Sequence, residues 1–204
     1  KKAALNHSEV EKLLSEAQRE NHPFFLIWLL TVTLGLRRSE LAGLKWSDID
    51  FSTRLAHLCR QKKPKEGIVN KLKNGNDRIA PIPIYVMPFL SLYKLRAQSE
   101  FVIELENLDW EKGRQAHVLR EFCKKIGIRE IRHHQLRSTY ITLMLNDGVS
   151  LGVTMESVGH ARIATTNDYY VSSGAELMGA TDKLQIKVPP TKNAEILPLV
   201  RVAK

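Results

Sequence analysis

The stretch GIVNKLKNGNDRIAPI, Gly67 to Ile82, breaks the rhythm of the chain around it. On either side, apolar residues recur every three or four positions, as they do along one face of a helix. Here they form two short aliphatic runs parted by Asn74, Gly75 and Asn76, a hairpin signal. A similar run, RLAHLC at Arg54 to Cys59, precedes them. Three short strands in succession predict a small three-stranded antiparallel sheet within Asp50 to Pro83, with Lys73 beside the tip of its last hairpin.

The rest of the chain reads as helix. Val10, Leu13, Leu14 and Ala17 lie at helical spacing behind two candidate capping boxes, Asn6 with Glu9 and Ser8 with Glu11. Pro23 opens a second, almost wholly apolar helix that Gly35 can end. From Phe24 to Leu36 that run is too short to cross a bilayer and carries Thr31 and Thr33, which predicts a buried core helix. A short helix follows over about Ser39 to Leu44. Helical patterns return at Val86 to Ala97, Gly113 to Lys125, His134 to Asn146 and Val153 to Val158. One more carries Thr166 to Tyr170, and another spans Ala175 to Leu184. The expected fold class is α+β, mainly helical, with one small three-stranded antiparallel sheet. KVPPTKN, Lys187 to Asn193, breaks the pattern and leaves AEILPLVRVAK as a tail. Within it Ile196 to Val202 is β-prone, and Pro198 confines it to an edge position.

The 204 residues suffice for one domain with a sizeable core, and 43% of them are hydrophobic. Two distant cysteines, Cys59 and Cys123, fit a reducing compartment and exclude a multi-cysteine zinc site. The net charge of +9 points to a polyanionic partner. Nucleic acid fits better than a membrane surface, because the basic residues are scattered through folded segments. No G-x-S-x-G elbow, P-loop, G-x-G-x-x-G or HExxH occurs, which argues against a serine hydrolase, ATP or NAD chemistry and a zinc protease.

Four stretches hold the candidate chemistry. LGLRRSELAGLKW places Arg37 after a helix-ending glycine with Glu40 three residues on. NKLKNGNDRIAPIP holds Lys73, and HHQLRSTY sets His134 and Arg137 on one helix face. SVGHARIATTNDYY supplies His160 and the adjacent Tyr169 and Tyr170. Taken singly, each has an ordinary reading: a surface ion pair, a solvated lysine, a polar helix face, a capping histidine. Taken together, two arginines, a lysine, two histidines and a tyrosine suit a phosphodiester. Guanidinium forks match its non-bridging oxygens, a histidine can take a phenolic proton, and a lysine can protonate a departing alkoxide without a metal or other cofactor.

In these pieces, TLGLRRSEL, LKNGNDRIAPIP, HHQLRSTY and VGHARIATTNDYY, and in their order, the sequence resembles the catalytic domain of the tyrosine recombinases, the phage integrase family. The resemblance implies Arg37 and Arg137 as the phosphate clamp, with Glu40 orienting the arginine region. It further implies His134 assisting proton transfer, Lys73 as general acid, His160 bonding the phosphate and Tyr169 as nucleophile. Adjacent helical side chains diverge by about 100°, so Tyr169 and Tyr170 cannot both face one phosphate, and the spacing from His160 favours Tyr169. Val158, Ser138 and Asp168 depart from the family's usual residues without removing a catalytic group.

The resemblance also sets the expected organisation. Residues 1–186 form the catalytic domain, 187–204 a linker and tail, and the family's N-terminal core-binding domain is missing. The implied function is site-specific recombination of double-stranded DNA through a 3′-phosphotyrosyl intermediate and a Holliday junction. That implies a monomer when free, a tetramer on DNA, and a cytoplasmic, bacterial or phage-encoded setting without membrane attachment. Two rival functions are a type IB topoisomerase and a catalytically idle DNA-binding domain.

Overall fold

The computed structural model describes residues 4–63, 65–72, 77–104, 114–159, 179, 181–184, 186 and 187. Helix α1 (His7–Arg19) opens on the Asn6–Glu9 capping box, the first of the two candidates. All ten residues of α2 (Phe25–Leu34) are buried, so this helix is the axis of the core. The hydroxyls of Thr31 and Thr33 donate back to the carbonyls of Ile27 and Leu29 at 2.7 Å, which satisfies them in an apolar setting. Helices α1 and α6 (His133–Asn146) pack on α2, and α7 (Leu151–Val158) packs on α6. Helices α3 (Arg38–Gly43), α4 (Met87–Arg96) and α5 (Arg114–Lys125) add to these, and Gly179, Thr181 and Asp182 are helical as well, within the segment expected as helix at Ala175 to Leu184. None of these helices is long and apolar enough to cross a membrane.

The sheet has the expected size but not the expected members. Strands β1 (Ile49–Asp50), β2 (Leu55–Leu58) and β5 (Arg78–Pro81) form it in the order β1-β2-β5, all antiparallel, with Ala56 opposite Ile49 and Ala80. The GIV segment, expected between them, instead pairs as β4 (Gly67–Val69) with β3 (Gln61–Lys63) in a separate two-stranded ribbon. Packing against α3 explains the change. A Cβ on Gly43 would stand 3.0 Å from the backbone of Arg60 and Gln61, so the chain beyond Cys59 leaves the sheet to run along α3. An Arg60–Asp48 ion pair fixes that departure. The Asn74–Asn76 turn lies outside the described residues, as do the helix expected at Thr166 to Tyr170 and the edge strand expected at Ile196 to Val202.

Close contacts tie distant parts of the chain together. Gly35 ends α2 with φ +61, and a Cβ there would meet Tyr140 of α6 at 2.6 Å and Val158 of α7 at 2.9 Å. Further along, Leu184 and Ile186 are buried, Arg54 pairs with Asp182, and Tyr85 donates to the carbonyl of Leu184. These late residues therefore pack on the same core.

Gly35→Ala should cost roughly 2–5 kcal/mol, combining left-handed strain with overpacking. Asn6→Ala should cost only about 1 kcal/mol, the usual worth of an N-cap. Urea unfolding of both variants checks the ranking, and a Gly35→Ala variant as stable as the parent contradicts the packing.

Candidate active site

Three elements converge on one carboxylate. Glu40, in the first turn of α3, is 2% exposed. Its Oε2 accepts from the Arg37 backbone N–H at 2.8 Å and from Arg78 Nη2 at 2.7 Å, while Oε1 accepts from Arg37 Nη1 at 2.5 Å. Arg137 Nη1, from α6, lies 4.0 Å from Oε2. Burial by itself pushes the Glu40 pKa up. The Arg78 and Arg37 guanidiniums, with the hydrogen bonds they bring, outweigh it and hold the group below its ordinary range. Three guanidiniums against one carboxylate leave the cluster with a positive excess.

The same three arginines grip the end of α7. Ser157 O accepts from Arg78 Nη1 at 2.5 Å, Val158 O from Arg137 Nη2, and Gly159 O from Arg37 Nη2 at 3.0 Å. A helix C-terminus leaves such carbonyls without helical partners and presents the negative end of the dipole, so cations belong there. Arg137 also donates through Nη1 to the carbonyl of Gly35, joining the end of α2 to the end of α7. Gly159 has φ +61, and a Cβ on it would lie 2.6 Å from Arg78 Cδ. Only glycine fits directly before His160.

The Arg137 side chain is 11% exposed. Burial, then the Arg37 and Arg78 charges, push its pKa down to about 9, with Glu40 acting in the opposite sense. It stays protonated at neutral pH, and an anion beside it would offset the repulsion. His134 is exposed, three residues before Arg137 on α6. Arg37, Arg38, Arg132, His133, His134 and Arg137 line an open hollow of about 340 Å³. His133 differs from its neighbour: burial, followed by Arg38 and His134, pushes its pKa down to about 4, so it is neutral there.

Three of the six expected site residues, Arg37, His134 and Arg137, thus gather at one hollow. Lys73, His160 and Tyr169 lie outside the described residues, as does Tyr170. Motif spacing alone does not single out Arg78. A signal is nonetheless present: Arg78 stands two residues before the buried Ala80 and opposite the buried Leu58, on the inward face of β5. An arginine at an inward strand position requires a buried anionic or carbonyl partner.

Stability should fall with acid in two overlapping windows. The folded pKa of His133 lies below its ordinary 6.5, so the unfolded chain takes the proton first and stability is lost from about pH 6.5 down to about 4. Glu40, lowered from 4.5, adds a loss as pH falls below that value. Calorimetry across this range should show a falling Tm, and His133→Leu should flatten its upper part. A parent Tm that stays level down to about pH 4 contradicts a neutral, buried His133.

Comparison with known proteins agrees with this geometry. The sequence model of the Phage integrase family matches residues 3–176. The tyrosine recombinase XerA of Thermococcus onnurineus is 30% identical over 189 residues, covering 90% of this chain and 63% of that protein. A tyrosine recombinase of Thermosipho africanus is 31% identical over 196 residues, covering 88% of this chain and 61% of that one. The chain thus spans less than two thirds of these relatives' length. Among solved structures, the Tn1549 transposon integrase in complex with a circular intermediate DNA superposes with a TM-score of 0.68 at 19% identity, covering 90% of this chain and 66% of that one. The XerA recombinase crystal structure gives 0.61 at 23% identity, covering 87% and 63%. At these identities the two structures speak to the fold alone. With most of its length matched by the family model and its arginines gathered at one buried carboxylate, the chain belongs to the phage integrase family of tyrosine recombinases.

Proposed function

We propose that this chain is the catalytic domain of a site-specific DNA recombinase that cuts and rejoins strands through a 3′-phosphotyrosyl intermediate. The observation that carries this reading is the arginine cluster: three guanidiniums, one buried carboxylate and an open basic hollow beside them. A phosphodiester carries one negative charge, and its pentavalent transition state carries about two. A site with a positive excess is therefore complementary to the state that forms during attack.

In the proposed reaction the Tyr169 oxygen bonds to the scissile phosphorus as the bond to the 5′-oxygen breaks. His134 assists removal of the phenolic proton, and Lys73 protonates the departing 5′-oxygen. Arg37 and Arg137 bond the non-bridging oxygens with donors not used on protein carbonyls, and His160 adds another. The phosphotyrosine retains the bond energy, so the reverse attack by a 5′-hydroxyl reseals DNA without ATP. Solved relatives in complex with DNA, among them XerH bound to its difH substrate, support double-stranded DNA as the partner. The proposal extends to exchange between two duplexes through a Holliday junction, within a tetramer assembled from monomers on DNA. The setting is the cytoplasm of a bacterial or phage-infected cell.

A pool of nicked duplexes with a randomised core presents every candidate target sequence at once. Incubation should yield a covalent protein–DNA adduct carried on the Tyr169 peptide. Tyr169→Phe should abolish the adduct and leave DNA binding near the parent level. No adduct from the parent chain across the pool contradicts the reading, and loss only with Tyr170→Phe moves the nucleophile by one residue.

The duplex enriched in that pool then tests the general acid. Lys73→Ala should slow cleavage by about 10²–10⁴-fold. A substrate with sulfur at the 5′-bridging position, which leaves without protonation, should restore most of that rate. It should not rescue Arg137→Ala, whose loss does not lie in protonation of the leaving group. Equal rescue of both variants contradicts the role of Lys73.

A further inference from the structure

We infer that Arg78 is a positioning residue for the cleavage reaction: as the principal counter-ion of Glu40, it keeps Arg37 and Arg137 available to the phosphate and fixes the turn that leads into His160. The inference rests on the recombinase reading of this site and adds a residue to it.

Arg78 cannot serve as a phosphate ligand itself. Its side chain is 9% exposed, and both terminal nitrogens are engaged, Nη2 by Glu40 Oε2 and Nη1 by Ser157 O. It is also absent from the residues that line the open hollow. What it does is divide the work of one carboxylate. Glu40 Oε2 is shared between Arg78 Nη2 and the Arg37 backbone, with Arg137 Nη1 at 4.0 Å. Removing Arg78 leaves that carboxylate buried with only Arg37 and Arg137 to neutralise it. Both guanidiniums would then be drawn inward, away from the hollow where the phosphate binds.

The second half of the role is steric. The Arg78 side chain passes where a Cβ on Gly159 would sit, so it forms the floor of the left-handed turn. That turn is also held by Arg37 at Gly159 O and Arg137 at Val158 O. The strand position makes this possible. Packing of β5 on α7 carries the inward-facing Arg78 from the sheet to the helix end, linking two elements that are far apart in sequence.

The experiment compares Arg78→Met, Arg78→Lys and the double variant Arg78→Met with Glu40→Gln, using the duplex enriched by covalent capture. Single-turnover cleavage, duplex affinity and Tm are measured for each. Arg78→Met should cleave about a hundredfold more slowly, the scale of losing one preorganised electrostatic contact, with affinity within about threefold of the parent. Arg78→Lys, which keeps the charge, should remain within about tenfold of the parent rate. Neutralising Glu40 in the Met variant should recover about tenfold, because the charge that captures Arg37 is gone. A purely structural arginine predicts something else: Met and Lys variants falling together with Tm, and a double variant worse than either single. Parent-like cleavage by Arg78→Met overturns the inference, whereas a parent chain that never forms an adduct overturns the recombinase reading beneath it. Should Arg78→Met fail to fold, Arg78→Lys decides: cleavage within about tenfold supports the counter-ion role, and cleavage lost with affinity intact overturns it.

Discussion

A single buried carboxylate organises this domain. Three guanidiniums brought within a few ångströms of one another repel, and burial removes the water that would screen them. Glu40, 2% exposed and bonded to Arg37 and Arg78, makes their company tolerable. A buried ion pair of this kind is weak evidence for stability, since desolvation consumes much of its attraction. Its value here is placement. The carboxylate sets where guanidiniums from three elements meet, and the elements must then pack so that they do.

The fold meets that demand through two glycine-ended helices. Helix α2 stops at Gly35 and α7 at Gly159, both left-handed, and Arg137 donates to carbonyls at each end. The apolar core behind them, with all of α2 enclosed, supplies the rigidity. The sheet contributes less by its own strength than by what it carries, since β5 brings Arg78 to the helix end. Sequence-distant pieces are thereby reduced to one cluster with a basic hollow open to solvent.

Much of this is legible in the sequence because the information is local. Helical period, the Asn6–Glu9 box and the helix-ending role of Gly35 each depend on a few neighbouring residues. The pairing of β4 does not, because it is decided by the close approach of Gly43 to the backbone at Arg60, which no periodicity encodes. His133 and His134 show the same limit at the site. Two identical neighbours, one buried and neutral, one exposed, are sorted by what packs against α6. Arg78 carries only a faint signal in the sequence for a related reason: its inward strand position is not distinguished from a solvated strand end until Glu40 and Ser157 are placed around it. Lys73, His160 and Tyr169 are expectations from the family resemblance and lie outside the described residues.

The grip of three arginines on the end of α7 also changes how active-site substitutions should be interpreted. In many enzymes the reactive groups are a burden on the fold, and deleting one makes the protein sturdier. In the proposed mechanism reagent and scaffold share the same side chains: Arg37 and Arg137 already cap the end of α7, and Arg137 joins it to the end of α2. An arginine-to-alanine knockout therefore removes a structural joint along with a charge, and the lost activity cannot be credited to chemistry alone. The same economy narrows the routes open to mutation. A drifting variant of this domain cannot give up the arginines proposed for the phosphate and gain stability in exchange, so loss of the proposed activity and loss of the fold should travel together.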